Sequence, residues 1–235
     1  MGAMPIEAQI RNCSRFRHDA YRGRRTAHVL QRRPHSAWPG DPLMNSTREL
    51  DSELQRQLRT VSWGLLPAWA KDWRMASKLI NARSETVTEN SSFRSGAVKR
   101  RAIVPANGYY EWMKSQAGAN FPYSLRGGDD NLAVAELYEL WPDPELPEDD
   151  PNKWVWTCTV LTRPATDSTG HIRDRSPLIL PESFWEHWRG PDLTDKGEVQ
   201  AMINSVPEPH LEPYEVSTAV NSPRNNDPSL LEPVH

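Results

Sequence analysis

Two thiols, one carboxylate set between aromatic rings and an uneven spread of arginines are the features of this 235-residue chain that bear on chemistry. Cys13 and Cys158 are too few for a disulfide framework and match no zinc-ligand spacing. Cys158 lies inside the apolar run Lys153-Trp-Val-Trp-Thr-Cys-Thr-Val-Leu-Thr and reads as a packing residue. Glu111 stands between Tyr110 and Trp112. A carboxylate buried among aromatics has a raised pKa, which suits proton transfer; the alternative is an exposed, idle acid. Residues 11–35 hold eight arginines and a single acid, Asp19, whereas Glu136 to Asp150 holds seven acids and no base. That asymmetry predicts a basic face set apart from an acidic, solvated loop, against the alternative of a merely variegated surface. The net charge of −3 does not by itself announce a nucleic-acid binder.

The elements that must position these residues are mostly strands. Ala102-Ile-Val-Pro and Asn107-Gly-Tyr-Tyr-Glu-Trp read as strand, turn, strand, and Leu132 to Tyr138 as another strand. The run from Lys153 is the clearest strand, β-branched, aromatic and alternating. Tyr214 to Val220 reads as a late strand before a polar tail, and Trp63 to Trp69 as a loop or irregular strand with Trp69 in the core. Leu50, Leu54 and Leu58 form a helical stripe over Arg48 to Thr60, and short helices are expected over Pro181 to Trp188 and Gly197 to Ile203. Trp141 to Asn152, with four prolines and five acids, reads as a surface loop. Strands outnumber helices and lack regular helical crossovers. This argues for a single α+β domain around a mixed, mostly antiparallel, barrel-like sheet with flanking short helices. Residues 1–12 have no clear period and read as a leader or an added extension, with the domain spanning 13–235. No run approaches the ~18 consecutive apolar residues of a membrane span, and no signal-peptide pattern opens the chain. A cytoplasmic monomer with no membrane association is expected.

Six segments in order resemble the SRAP (SOS response-associated peptidase) family: Cys13-Ser-Arg-Phe, Trp63-Gly-Leu-Leu-Pro-Ala-Trp, Asn81-Ala-Arg-Ser-Glu-Thr, Arg100-Arg-Ala-Ile-Val-Pro-Ala-Asn-Gly-Tyr-Tyr-Glu-Trp, Ile172-Arg-Asp-Arg-Ser-Pro-Leu-Ile-Leu and Val220-Asn-Ser-Pro-Arg-Asn-Asn-Asp-Pro-Ser-Leu-Leu-Glu-Pro. The resemblance implies a sensor of abasic sites in single-stranded DNA. In such a protein an N-terminal cysteine condenses its amine with the sugar aldehyde and closes a thiazolidine through its thiol. It assigns Cys13 to capture, Asn81 to hydrogen bonds that hold the amino-thiol end, and Glu111 to proton transfer. Arg15, Arg83 and Arg175 would bind phosphates, and Trp63, Leu66 and Pro67 would shape the groove, together with Leu65. The family name also implies a thiol autopeptidase. No metal or organic cofactor is implied; the partner is single-stranded DNA with abasic sites. Simpler roles stay open: Asn81 as a turn cap, Arg83 paired with Glu85, Trp63 as core.

The sequence departs from the family at three places. Cys13 follows Asn12, so its amine is an amide unless that bond is cut or the start lies elsewhere. Ser14 replaces a glycine. Arg173 stands where the family has histidine, and an arginine cannot act as a base near neutral pH. His171, two residues earlier, would face the same side of a strand about 6.6 Å away, as a substitute base or as an unrelated surface histidine. Arg173 would add a phosphate contact beside Arg175. Two other classes follow: a non-covalent single-strand-binding module that has lost the reaction, and a conventional thiol hydrolase, which needs a histidine near Cys13.

Overall fold

The computed structural model describes residues 25–33, 55–114, 120–127, 131–165, 174–222, 224–225 and 227–234. The architecture is α+β, as the strand-rich sequence predicts. The larger sheet holds β1 (Arg25–Arg33), β2 (Gln55–Trp63), β3 (Asn81–Arg83), β4 (Arg101–Ala106), β7 (Leu132–Pro142), β8 (Trp154–Pro164) and β9 (Arg175–Pro177). The smaller sheet holds β5 (Tyr109–Lys114), β6 (Asn120–Arg126) and β10 (Glu212–Glu215). Neighbours run β2-β1-β4-β7-β8-β3, with β9 on β8 and β10-β6-β5 in the small sheet. Pairing is antiparallel except where β2 and β3 both meet β8 in parallel. The β2–β8 pairing brings the first strand of the order back against the fifth, which curls the sheet into a barrel-like wall.

The central strand β7 shows why the sequence folds this way. Every residue from Leu132 to Trp141 is buried, so both faces of the strand meet apolar surface. Ala133, Ala135 and Leu137 join Ile103, Leu161 and Leu178 on the outer face. Three helices cover that face: α1 (Arg94–Lys99), α2 (Glu182–Arg189) and α3 (Lys196–Ser205). They contribute Ala97, Trp188, Val199, Met202 and Ile203. Asp195 caps α3 by accepting hydrogen bonds from the Gly197 and Glu198 amides. Buried Arg101 fastens α2 to β4: its guanidinium donates to the carbonyl oxygens of Trp188, Gly190 and Ala97 and lies 5.7 Å from the centre of the Trp188 ring. Tyr138, Leu140, Ala102, Cys158 and Val61 pack together on the inner face.

Several sequence expectations require correction. The stripe over Arg48 to Thr60 is not helical at its C-terminal end, because Gln55 to Trp63 forms β2 in full register with β1. Leu58 therefore repeats with a strand neighbour, and tertiary pairing overrides the local period. Leu50 and Leu54 lie outside the described residues. The acidic stretch is not one solvated loop: Glu136, Glu139 and Asp143 are buried. Trp69 is 57% exposed rather than in the core. The late strand is shorter than read, since Glu212–Glu215 gives way to a 3₁₀ turn over Thr218–Asn221. No helix among the described residues is long and apolar enough to cross a membrane.

Candidate functional site

A cleft of about 990 Å³ opens between the β3-β8-β9 edge of the large sheet and β5 of the small one. Its position follows from alternation. In β3, Asn81 and Arg83 are exposed while Ala82 between them is fully buried. Side chains two apart share a face, so one three-residue strand sends two polar groups to the cleft and a methyl group to the core. Asn81 pairs with Val160, and Arg83 with Thr162. Val160, Val134 and Val104 provide apolar lining in the cleft.

Two glycines let the walls close up. Gly64 has φ +119°, and a Cβ there would lie 2.5 Å from the Ala76 carbonyl oxygen. The turn it makes follows Trp63, which lines the cleft and donates its indole N–H to the Ile80 carbonyl oxygen at 2.7 Å, one residue before Asn81. A Cβ on Gly108 would lie 2.5 Å from the Leu125 carbonyl oxygen, where β5 folds onto β6.

Glu111 lies on the β5 wall, half-buried and opposite Tyr123 of β6. The residues on either side of it fix that strand to the C-terminal segment. The Tyr110 hydroxyl donates to the Leu230 carbonyl oxygen at 3.2 Å, and the Trp112 indole donates to Asn221 Oδ1 at 2.6 Å. The closing segment of the chain thus acts as a brace for the strand that carries Glu111.

Arg175 stands at the opposite rim on β9. Its guanidinium forms a two-pronged pair with Glu85, at 2.8 Å on each prong, and also donates to Thr162 Oγ1 at 3.2 Å and the Thr162 carbonyl oxygen at 2.7 Å. The Arg175 hydrogen bonds hold the Glu85 carboxyl at about 2, far below its usual range. The acid suggested as a partner for Arg83 is therefore engaged by Arg175. Arg83 is exposed and has no ion pair among the described residues.

Beneath the apolar floor lies a second carboxyl that the sequence reading missed. Glu136 sits opposite Val160 on one side and Ala102 on the other. Glu136, Val160 and Asn81 therefore form one row across three strands. Glu136 is fully buried, and neither oxygen has a conventional hydrogen-bond partner. Burial pushes its pKa up to about 8, a rise that the nearby Cys158 thiol partly offsets. Burial and the facing Glu136 raise the Cys158 thiol well above its ordinary range. Such a thiol is inert as a nucleophile.

The structure gathers Trp63, Asn81, Arg83, Glu111 and Arg175 around this one cleft. It does not bring Leu66 or Pro67 there. Both are buried, Leu66 packing with Ala70, Ala76 and Trp141 and donating its amide to Thr157 Oγ1. Their apolar character serves the core rather than a groove. Cys13, Arg15, His171 and Arg173 lie outside the described residues. Glu85 and Thr162 were missed as rim residues. Spacing gave a signal for the first, since Glu85 stands two residues after Arg83.

A model of the family described as SOS response associated peptidase (SRAP) matches residues 9–223. The chain belongs to the SRAP family. Among curated SRAP relatives, the abasic site processing protein YoqW of Bacillus subtilis (strain 168) is 36% identical over 199 residues, covering 84% of this chain and 86% of that protein. The abasic site processing protein HMCES of Gallus gallus is 29% identical over 204 residues, covering 77% of this chain and 58% of HMCES. A crystal structure of a protein from Bacteroides thetaiotaomicron aligns with a TM-score of 0.63 at 27% identity, covering 76% of this chain and 77% of that one.

Proposed function

We propose that this SRAP protein processes abasic sites by binding single-stranded DNA along the cleft and capturing the sugar aldehyde at Cys13. The observation that carries this reading is the convergence of Asn81, Arg83, Glu111 and Arg175 on one cleft, from segments up to 94 residues apart in sequence. The names of the curated relatives supply the substrate class. In the capture step the Cys13 α-amine adds to the aldehyde carbonyl and loses water to form an imine. The thiol then adds to the imine carbon and its proton passes to nitrogen, closing a thiazolidine. Glu111 is the group assigned to move protons in the ring opening and dehydration. Asn81 orients the amino-thiol end, while Arg83 and Arg175 take flanking phosphates.

The chemistry needs a free amine on Cys13, and Asn12 blocks it for as long as the two are joined. Release of residues 1–12 by the Cys13 thiol is the form that the family's peptidase activity would take here. With Arg173 at the family's histidine position, a non-covalent module is the second reading. Denaturing electrophoresis separates them. Protein beginning at Cys13 is expected to stay attached to an abasic single strand, while protein retaining Asn12 is not. Equal attachment by both forms would overturn the thiazolidine route. Absence of attachment by either, with single-strand binding intact, would establish the non-covalent module.

A further inference from the structure

The Arg175 guanidinium has five N–H donors, and four are engaged within the protein. Two go to Thr162, through Oγ1 and the carbonyl oxygen, and two to the Glu85 carboxylate. The end that Glu85 occupies is the one a backbone phosphate would take, because carboxylate and phosphate compete for the same planar fork. We infer that Glu85 is a gate on Arg175, an internal anion that a nucleic-acid phosphate must displace before Arg175 can hold it. This inference rests on reading the cleft as a single-strand groove.

Three features of the rim favour displacement over permanent pairing. The Glu85 side chain is 44% exposed, so it can turn into water without opening the core. The Thr162 bonds hold the Nε and Nη2 side of the guanidinium and persist when the carboxylate leaves, so Arg175 stays in place. Arg83 flanks Thr162 in the strand register and has no ion pair among the described residues, so a phosphate can settle there first. Once one phosphate is held, its neighbour along the strand meets Arg175 at high effective concentration. A single phosphate free in solution has no such advantage. The gate therefore selects for polymer over isolated anion. Glu85 keeps its charge at any physiological pH, because its carboxyl titrates at about 2, so the gate opens by competition and not by protonation.

The test compares affinities for an unmodified deoxyoligonucleotide across a salt series, using the parent protein, Glu85→Gln, Arg175→Ala, the double variant and Arg83→Ala, each checked by thermal melt. Gln keeps the shape and one acceptor but not the charge. Glu85→Gln is expected to bind several-fold tighter across the salt series, with a slope of log K against log salt close to the parent's, because a phosphate reaches Arg175 in both proteins and only the cost of displacing the carboxylate is removed. Adding Arg175→Ala is expected to abolish that gain. Unchanged or weaker binding by Glu85→Gln overturns the gate and leaves Glu85 a positioning residue. A gain that survives in the double variant also overturns it, because the effect is then bulk charge. If Arg83→Ala weakens binding while Glu85→Gln gives no gain, the gate fails and the groove stands. If neither Arg83→Ala nor Glu85→Gln alters binding, the groove reading fails with it.

Discussion

Among the described residues, the Arg100–Glu139 and Arg175–Glu85 pairs set the same chemistry in opposite surroundings. Arg100 and Glu139 meet at 2.5 Å with side chains 8% and 9% exposed, and Arg100 also reaches Ser95 Oγ. Arg175 and Glu85 meet at 2.8 Å with side chains 29% and 44% exposed. The first pair is enclosed between β7 and the end of α1, where neither charge has water to fall back on. The second stands on a cleft rim, where water can solvate either partner and a ligand anion can take the place of Glu85. Burial, rather than pairing itself, separates a structural ion pair from one that can exchange.

Breaking the buried pair from one side gives the largest effect. Arg100→Met leaves the buried Glu139 carboxyl without its counter-charge and is expected to cost about 3–5 kcal/mol in urea unfolding. Replacing both partners with apolar residues, Arg100→Met with Glu139→Leu, is expected to recover most of that loss. Equal losses in the single and double variants would show that the site depends on something other than the paired charge.

Glu136 sharpens the contrast, since it is buried on the same strand with no ion-pair partner among the described residues. Its carboxyl rises from an ordinary 4.5 to about 8 in the fold. An acid whose pKa is raised by folding favours the folded state least when ionised. Stability is full below about 4.5 and declines as pH rises through 8. Between pH 6 and 9 the expected loss is about 2–3 kcal/mol, and Glu136→Gln is expected to flatten the profile over that window. A parent protein equally stable at pH 6 and 9 would contradict it. The rim pair gives the smallest effect: Glu85→Gln is expected to change stability by less than about 1 kcal/mol, as measured by the same unfolding.

The parts of the site that were legible in the sequence are those fixed by local alternation. Asn81-Ala82-Arg83 and the strands around Glu111 and Cys158 carry their orientation in a period of two. What was hidden depends on partners far along the chain. Glu136 looks like the start of an acidic surface until β4 and β8 enclose it. Leu66 and Pro67 look like groove residues until the turn at Gly64 directs them into the core. Leu58 ends a helical spacing in the sequence that the pairing of β2 with β1 overrides.

The cleft holding Asn81 and Glu111 is proposed as the place where an abasic site reacts. The most direct measurement is the rate at which protein beginning at Cys13 attaches to an abasic single strand, with and without Glu111→Gln, alongside affinity for the unmodified strand. Glu111→Gln is expected to slow attachment by ~10²-fold or more and to leave affinity unchanged, because in this proposal the carboxyl moves protons and does not hold phosphate. Attachment at the parent rate by Glu111→Gln would contradict it.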